Sequence, residues 1–429
     1  MKKIKIGLLG CGTVGSGVYK LLEMNKEKYR HVLNQTELEI VAIVVQNLTK
    51  VREGIPQEIL TVDPVRVLGD PDIDVIIEVM GGTTLAKDYI TEALRNGKHV
   101  VTANKDLMAT QGEELLDLAN EMGKMILFEA SVAGAIPIIN TLKTSLVSNQ
   151  ITKVMGIING TTNFMLTKMF EEGSSLSDVL REAQELGYAE ADPTSDVDGL
   201  DAARKIAILA SNAFHRRVVL DDVYVEGIRG IGVEDISYAK QFGSTIKLLG
   251  IAGMKDDAIE VRVHPTLLPL SHPLANVNDV YNAIYLEGNA FGDLTMIGKG
   301  AGSLPTASAV VADLLTIIKD TGRSAVGYDN RSCYLDTPIL GIADTLCHYY
   351  VRMVVLDKTG VLAKIADTFA KNLVSIDSVI QRKLDGDRAE LVILTDKVMD
   401  RNLYKAREDI AALDVVLEIK SVIRSEKEN

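Results

Sequence analysis

The chain has 429 residues, 47% of them apolar and 24% charged, with a formal net charge of −13. That composition supports two or three packed domains and lies far from disorder. The negative balance argues against nucleic acid or an anionic membrane as partner. No run is long enough to span a bilayer. Three scattered cysteines give no disulfide framework and point to the reducing cytoplasm.

The first element is an apolar strand, Ile4 to Leu9, in the stretch "KIGLLGCGTVGSGVYKLLE". Gly10, Gly12 and Gly15 follow, then an amphipathic helix carrying Val18, Leu21 and Leu22. This is G-x-G-x-x-G between a strand and a helix, the context in which it binds a dinucleotide. Gly10 permits the tight turn, Gly12 lets backbone approach a pyrophosphate, and Gly15 lets the helix sit close on the strand. Thr13 and Val14 open the helix whose N-terminus faces the phosphates. Strands over 38–45, 74–82, 98–105 and 123–130 alternate with helical stretches such as 86–97, which ends at Gly97. Alternation of this kind predicts a parallel, Rossmann-type sheet with helices on both faces, and ligands beyond the carboxyl ends of its strands. Gly81, Gly82, Asn104 and Lys105 fall there.

The end of the second strand selects between NAD and NADP. An acid there would bind the ribose diol of NAD. The chain has Gln46 and Asn47 instead, with Lys50 and Arg52 just beyond. The pattern leans towards NADP, and ordinary surface charge explains the two cations equally well.

Further along, "GYAEADPTSDVDGLDAARK" (187–205) crowds acids ahead of a helix. Leu200, Ala203, Ala207, Ala210 and Phe214 make its apolar stripe, and Asp201 and Lys205, four apart, share another face. Those residues alone describe a capped helix, Asp198 being a good N-cap, with an ion pair on its surface. Together with "VTANKDLMA" (101–109), "GIINGTTNFMLTKM" (156–169) and the glycine motif, however, the segment closely resembles homoserine dehydrogenase of the bacterial, amino-acid-biosynthetic type, over essentially the whole chain.

The resemblance implies NAD(P)-dependent interconversion of L-aspartate 4-semialdehyde and L-homoserine. It matches Lys205 to the catalytic lysine and Lys105 to a second essential lysine near the nicotinamide. Glu190 corresponds to the acid that binds the substrate, and Asp196 and Asp201 to acids lining the pocket. It also implies a structural sodium ion on the Glu129 carboxylate and the backbone carbonyls of Val132, Gly134 and Ile136, and it brings Gly302, in "MIGKGAGSLPTASAVVADLL" (296–315), to the cofactor. The chain departs from the family pattern at Gln46, Leu85 and Lys299, where arginine, proline and proline are usual.

From about residue 348 strands and helices follow the order β-α-β-β-α-β of a ferredoxin-like module, and "DKTGVLAKIA" (357–366) resembles an ACT domain, a regulatory module that binds amino acids. The expected organisation is an α/β chain: a Rossmann domain over 1–130, completed by about 303–345; an α+β catalytic and dimerisation domain over 131–302; and an ACT domain over 348–429. A homodimer or homotetramer is expected, with threonine the candidate effector by analogy. The module reads as a fold of its own, so its removal near residue 345 is expected to leave a competent enzyme. Two other readings compete. One is another ACT-bearing hydroxy-acid dehydrogenase, and the other a non-enzymatic NAD(P)-binding regulator.

Overall fold

The computed structural model describes residues 2–320 and 333–427. Residues 321–332, within the segment expected to complete the first domain, lie outside the described residues. The chain divides into two compact units. One comprises Met1–Val154, Ala207–Asp222 and Asn282–Asp336, and the other Met155–Ile206, Val223–Tyr281 and Thr337–Asn429. Among the described residues no helix is long and apolar enough to cross a membrane.

The first unit is built on six strands: β1 (Lys3–Leu9), β2 (Glu37–Val44), β3 (Leu60–Thr61), β4 (Val75–Glu78), β5 (His99–Thr102) and β6 (Ile126–Leu127). All pair in parallel, in the order β3-β2-β1-β4-β5-β6. This is the doubly wound order, with its reversal between β1 and β4, where such sheets open a crevice for ligands. The central strands are apolar on both faces because helices cover both. Ile6, Leu8, Val75, Ile77 and Val101 are buried with Val18 and Leu22 of the helix Thr13–Met24 and with Val310, Leu314 and Ile317 of the helix Ser303–Asp320. The second of these helices is distant in sequence yet part of the same core. The strand expected over 123–130 is only two residues long. Glu129–Ser131 turns as a 3₁₀ segment, since the Glu129 N–H leaves the ladder to donate to Asp313 Oδ2 at 2.8 Å.

The second unit carries a long antiparallel hairpin, Ser244–Lys255 with Ala258–Pro269. The strand Ala258–Pro269 then pairs in parallel with Val416–Ser425, the last strand of the C-terminal module. Beyond it lie Leu346–Leu356, Arg388–Thr395 and Ile376–Lys383, all antiparallel to their neighbours. Within the module the strands therefore run fourth, first, third, second, which is the ferredoxin-like arrangement. Its core joins Val351, Met353 and Ile393 to Ile365 and Phe369 of one helix and Leu403 and Ile410 of the other. Its sheet is continuous with the hairpin. A short pairing register and the buried side chains behind it make that join.

Candidate active site

The cofactor cradle is a matter of backbone space. Gly10 has φ +101°, and a Cβ there would meet the Val79 carbonyl at 2.8 Å. A Cβ on Gly15 would run into the Gly10 carbonyl, so the helix can approach the turn only with glycine in that place. Gly12 differs, since nothing lies within 4 Å of where its Cβ would be. The helix it precedes, beginning Thr13-Val14, has no side-chain cap. Its first N–H groups and the positive end of its dipole are thus available to an anion over an open surface. Gly302 (φ +118°) starts the helix Ser303–Asp320, whose Ser303 Oγ donates to the Thr13 carbonyl at 2.8 Å. Gly17, a further glycine outside the G-x-G-x-x-G motif, lets these two helices touch, since a Cβ there would lie 2.5 Å from the Ser303 carbonyl.

Lys105 is the first residue of the helix Lys105–Glu121, immediately beyond β5. Its position is fixed by Asn104, the N-cap, whose Oδ1 accepts from Leu107 N at 3.1 Å and whose Nδ2 donates to the Gly82 carbonyl at 2.7 Å. Behind Asn104 stands Glu78, fully buried. Its Oε2 accepts from Thr102 Oγ1 at 2.6 Å and its Oε1 from Met80 N at 2.8 Å. Burial pushes the Glu78 carboxyl up, and these donors oppose the shift. Glu78 is not among the residues the motifs single out. A charged residue at the end of an otherwise apolar strand was the available signal.

Around Gln46 the loop is exposed. Arg52 is spent on it, donating to the carbonyls of Asn47 at 3.1 Å and Lys50 at 2.8 Å.

Glu129 is 3% exposed, and its two carboxylate oxygens accept from Ile139 N (2.8 Å) and Asn140 N (2.6 Å). Burial raises its pKa and these N–H groups counter the shift. Between them the chain turns through Ala133 and Gly134, both at φ 55°. The Ile136 carbonyl accepts from Ile138 N at 2.9 Å. The donors of this loop are hard oxygens, and each holding contact uses one lone pair of a two-lone-pair acceptor. Oxygen donors of this kind are the chemistry a hard cation takes.

The second unit brings three of its four predicted residues together. Lys205 Nζ donates to Asp201 Oδ2 and to the Ile158 carbonyl, both at 2.7 Å, and its side chain is 12% exposed. Asn159 Nδ2 donates to Asp196 Oδ1 at 2.7 Å and to Asp201 Oδ2 at 2.9 Å. Burial drives the Asp196 carboxyl up; Asn159 lowers it and Asp201 raises it further. Glu190 stands apart. Its side chain is exposed and makes no hydrogen bond among the described residues, while its carbonyl accepts from Gln184 Nε2 at 3.1 Å. Asp198, expected to cap the lysine helix, instead pairs with Arg229. The helix Leu200–Phe214 starts from Gly199 at φ +82°, whose carbonyl receives Ala203 N. An amine held between a carbonyl and a carboxylate has a third proton to offer, which an ion pair on an open surface would lose to water.

A cradle for a pyrophosphate and a half-buried amine beside paired acids meet in one class of protein, the NAD(P)-dependent oxidoreductases. Known families narrow this further. Residues 10–129 match the homoserine dehydrogenase NAD-binding domain, 137–315 homoserine dehydrogenase itself, and 349–415 the ACT domain. The homoserine dehydrogenase of Bacillus subtilis is 48% identical over 99% of both chains. A crystal structure of the homoserine dehydrogenase from Thiobacillus denitrificans superposes with a TM-score of 0.94 at 42% identity, again over 99% of both chains. A hyperthermophilic archaeal homoserine dehydrogenase in complex with NADPH matches with TM-score 0.63 and 26% identity, over 74% of this chain and 98% of its own. The chain belongs to the homoserine dehydrogenase family and is an oxidoreductase with an ACT module at its C-terminal end.

Proposed function

We propose that the chain interconverts L-homoserine and L-aspartate 4-semialdehyde with Lys205 as the proton-transfer group. The hydrogen-bonding of Lys205 carries this reading: two of its three protons are committed to Ile158 and Asp201, which aims the ammonium and leaves one proton for a substrate oxygen. In the reducing direction Lys205 donates that proton to the aldehyde oxygen, and in the oxidising direction it recovers the proton from the hydroxyl. The glycine turn about Gly10 and Gly12 would hold a nicotinamide dinucleotide, which when bound would supply the hydride in one direction and take it in the other. Asp201 and Asp196 line the pocket, and Glu190, exposed and unengaged, receives the substrate ammonium. Lys105, fixed by Asn104 at the carboxyl end of β5, attends the nicotinamide end of the cofactor.

Both NADP and NAD are accepted. No acid at Gln46 repels a 2′-phosphate, and Lys50 remains to attract one. The archaeal relative's NADPH supports the same view. A sodium ion on Glu129 and the carbonyls of Val132, Gly134 and Ile136 would stiffen the 129–140 loop. An amino-acid effector, threonine by analogy, would use the turn Asp357–Leu362, where Gly360 (φ +88°) leaves the helix Val361–Lys371 without a side-chain cap. The free cysteines 11, 333 and 347 suit the cytoplasm, and the assembly is a homodimer or homotetramer.

Homoserine-dependent reduction of NADP⁺ or NAD⁺ by the purified chain tests the reading. Activity with another hydroxy acid, and none with homoserine, would overturn it.

A further inference from the structure

Asn159 lies at the end of the strand Ile151–Ile157 and caps the helix Gly160–Glu172. It is 5% exposed, and every polar atom of its amide is used. Oδ1 accepts from Thr162 N at 2.8 Å, the N-cap bond, and from Thr162 Oγ1 at 2.9 Å. Nδ2 has two protons, and they go to two different carboxylates, Asp196 and Asp201. The peptide on the N-terminal side of Asn159 carries the Ile158 carbonyl, which receives Lys205 Nζ. One residue therefore touches both acids through its side chain and adjoins the acceptor of the amine through its backbone.

We propose that Asn159 is a positioning residue that sets the Asp196–Asp201 pair and, through Asp201 and the 158–159 peptide, aims Lys205. The inference rests on the reading of Lys205 and Asp201 as working groups. A buried carboxylate, Asp201, and a half-buried one, Asp196, this close repel each other. A neutral amide satisfies both and adds no charge, so Asp201 keeps a lone pair for Lys205. Capping alone does not require asparagine, since serine and aspartate cap as well. Only asparagine among the common caps also presents two donors.

This separates the two roles experimentally. Asn159→Ser keeps a capping oxygen and loses the paired donors. Asn159→Asp keeps the cap and places a third acid among the charged groups facing this position, which are Asp196 from the turn Thr194–Val197 and Asp201 and Lys205 from the helix Leu200–Phe214. Misaiming a reacting group costs about 100-fold in rate. Asn159→Ser is expected to lower kcat by roughly 10- to 100-fold, with the thermal midpoint and dinucleotide affinity retained. Asn159→Asp is expected to lose more and to move the alkaline limb of the pH–rate profile to higher pH. Wild-type kcat in Asn159→Ser beside an inactive Lys205→Ala overturns this inference alone. Full activity in Lys205→Ala overturns the parent reading and this inference with it. A fall in kcat of Asn159→Ser that tracks a fall in thermal midpoint assigns Asn159 to the fold and overturns the positioning role.

Discussion

In the proposed mechanism Lys205 and Glu190 divide the work on the substrate, and the division makes opposite predictions. Replacing Lys205 by alanine removes the proton donor and leaves the glycine turn untouched. Turnover should fall by about 10²–10⁴-fold, while dinucleotide affinity, read by fluorescence titration, stays near wild type. Near-normal turnover would remove Lys205 from the mechanism. Glu190→Ala removes the partner of the substrate ammonium. A hydrogen bond to a charged group is worth about 1.5–3 kcal/mol, so the homoserine KM should rise roughly 10- to 100-fold with a smaller change in kcat; an unchanged KM would sink the assignment. Residues of this kind are legible in sequence only through the family resemblance. Spacing put Asp201 and Lys205 on one helical face, but whether that face was wet or enclosed depends on Ile158 and Asn159, more than forty residues away in the chain. Asp198 shows the limit of local chemistry. A good capping residue beside a helix start was drawn off by Arg229, a partner no local rule can see.

Among the elements, the strands and the glycine turn were legible because their signals are local: apolar runs, period and punctuation. The covering of β1 by the helix Ser303–Asp320 depends on a contact across nearly three hundred residues, expected only through the family resemblance, and Gly17 is where the two helices meet most closely. The two glycines Gly12 and Gly17 should therefore fail differently. Gly12→Ala adds a methyl to open space in extended backbone at φ −89°, outside the left-handed region that strains alanine. The protein should melt as wild type yet bind dinucleotide at least tenfold more weakly, since the methyl occupies the approach of the pyrophosphate. Gly17→Ala drives a methyl into the Ser303 carbonyl and should cost about 1–3 kcal/mol of stability, seen as a lower denaturation midpoint. Equal melting of both variants would show that the helix contact yields without strain. His99, at the start of β5, makes a pH prediction. Its Nδ1 accepts from Met125 N at 3.1 Å, and burial, helped by Lys124, lowers its pKa to about 4. The unfolded chain holds it near 6.5. A depressed pKa contributes stability that is present above about pH 6.5 and lost as pH falls towards 4, on the order of 3 kcal/mol for that interval. His99→Gln should show a flatter fall of thermal midpoint between those limits; an unchanged slope would mean that His99 titrates freely.

At the scale of the molecule, the C-terminal module is more deeply joined to its unit than its self-contained pattern implied. Asp235, fully buried on the helix Val233–Gln241, receives Arg352 Nε at 2.7 Å, Tyr350 at 3.0 Å and Ser421 at 2.5 Å, all from the module. Arg424, on its last strand, holds Glu226 at 2.8 Å. The chain beyond Glu226 presses on the acidic segment. Ile228 N donates to the Val197 carbonyl at 2.9 Å, and Gly227 lies so close that a Cβ would strike Val197 and Asp198. A continuous line thus runs from Arg424 through Glu226 and Ile228 to the turn that bears Asp196. Ending the chain after Thr345 removes Arg424 and Arg352 together, frees the 226–231 loop and uncovers the hairpin edge at Thr266 and Leu267. The truncated enzyme is still expected to be competent, and the join makes that expectation more particular. Dinucleotide affinity should persist, because every cradle residue lies in the other unit. The homoserine KM should rise by roughly tenfold or more as the acidic turn loosens. Arg352→Met makes the milder version of the cut. It leaves Asp235 buried without its cation, and breaking such a pair costs about 3–5 kcal/mol. The midpoint in urea should fall accordingly. If the truncated chain keeps the wild-type KM, the line through Glu226 carries nothing to the substrate acids. If Arg352→Met unfolds at the wild-type midpoint, Asp235 has found water, and the join between module and hairpin is looser than its buried side chains imply.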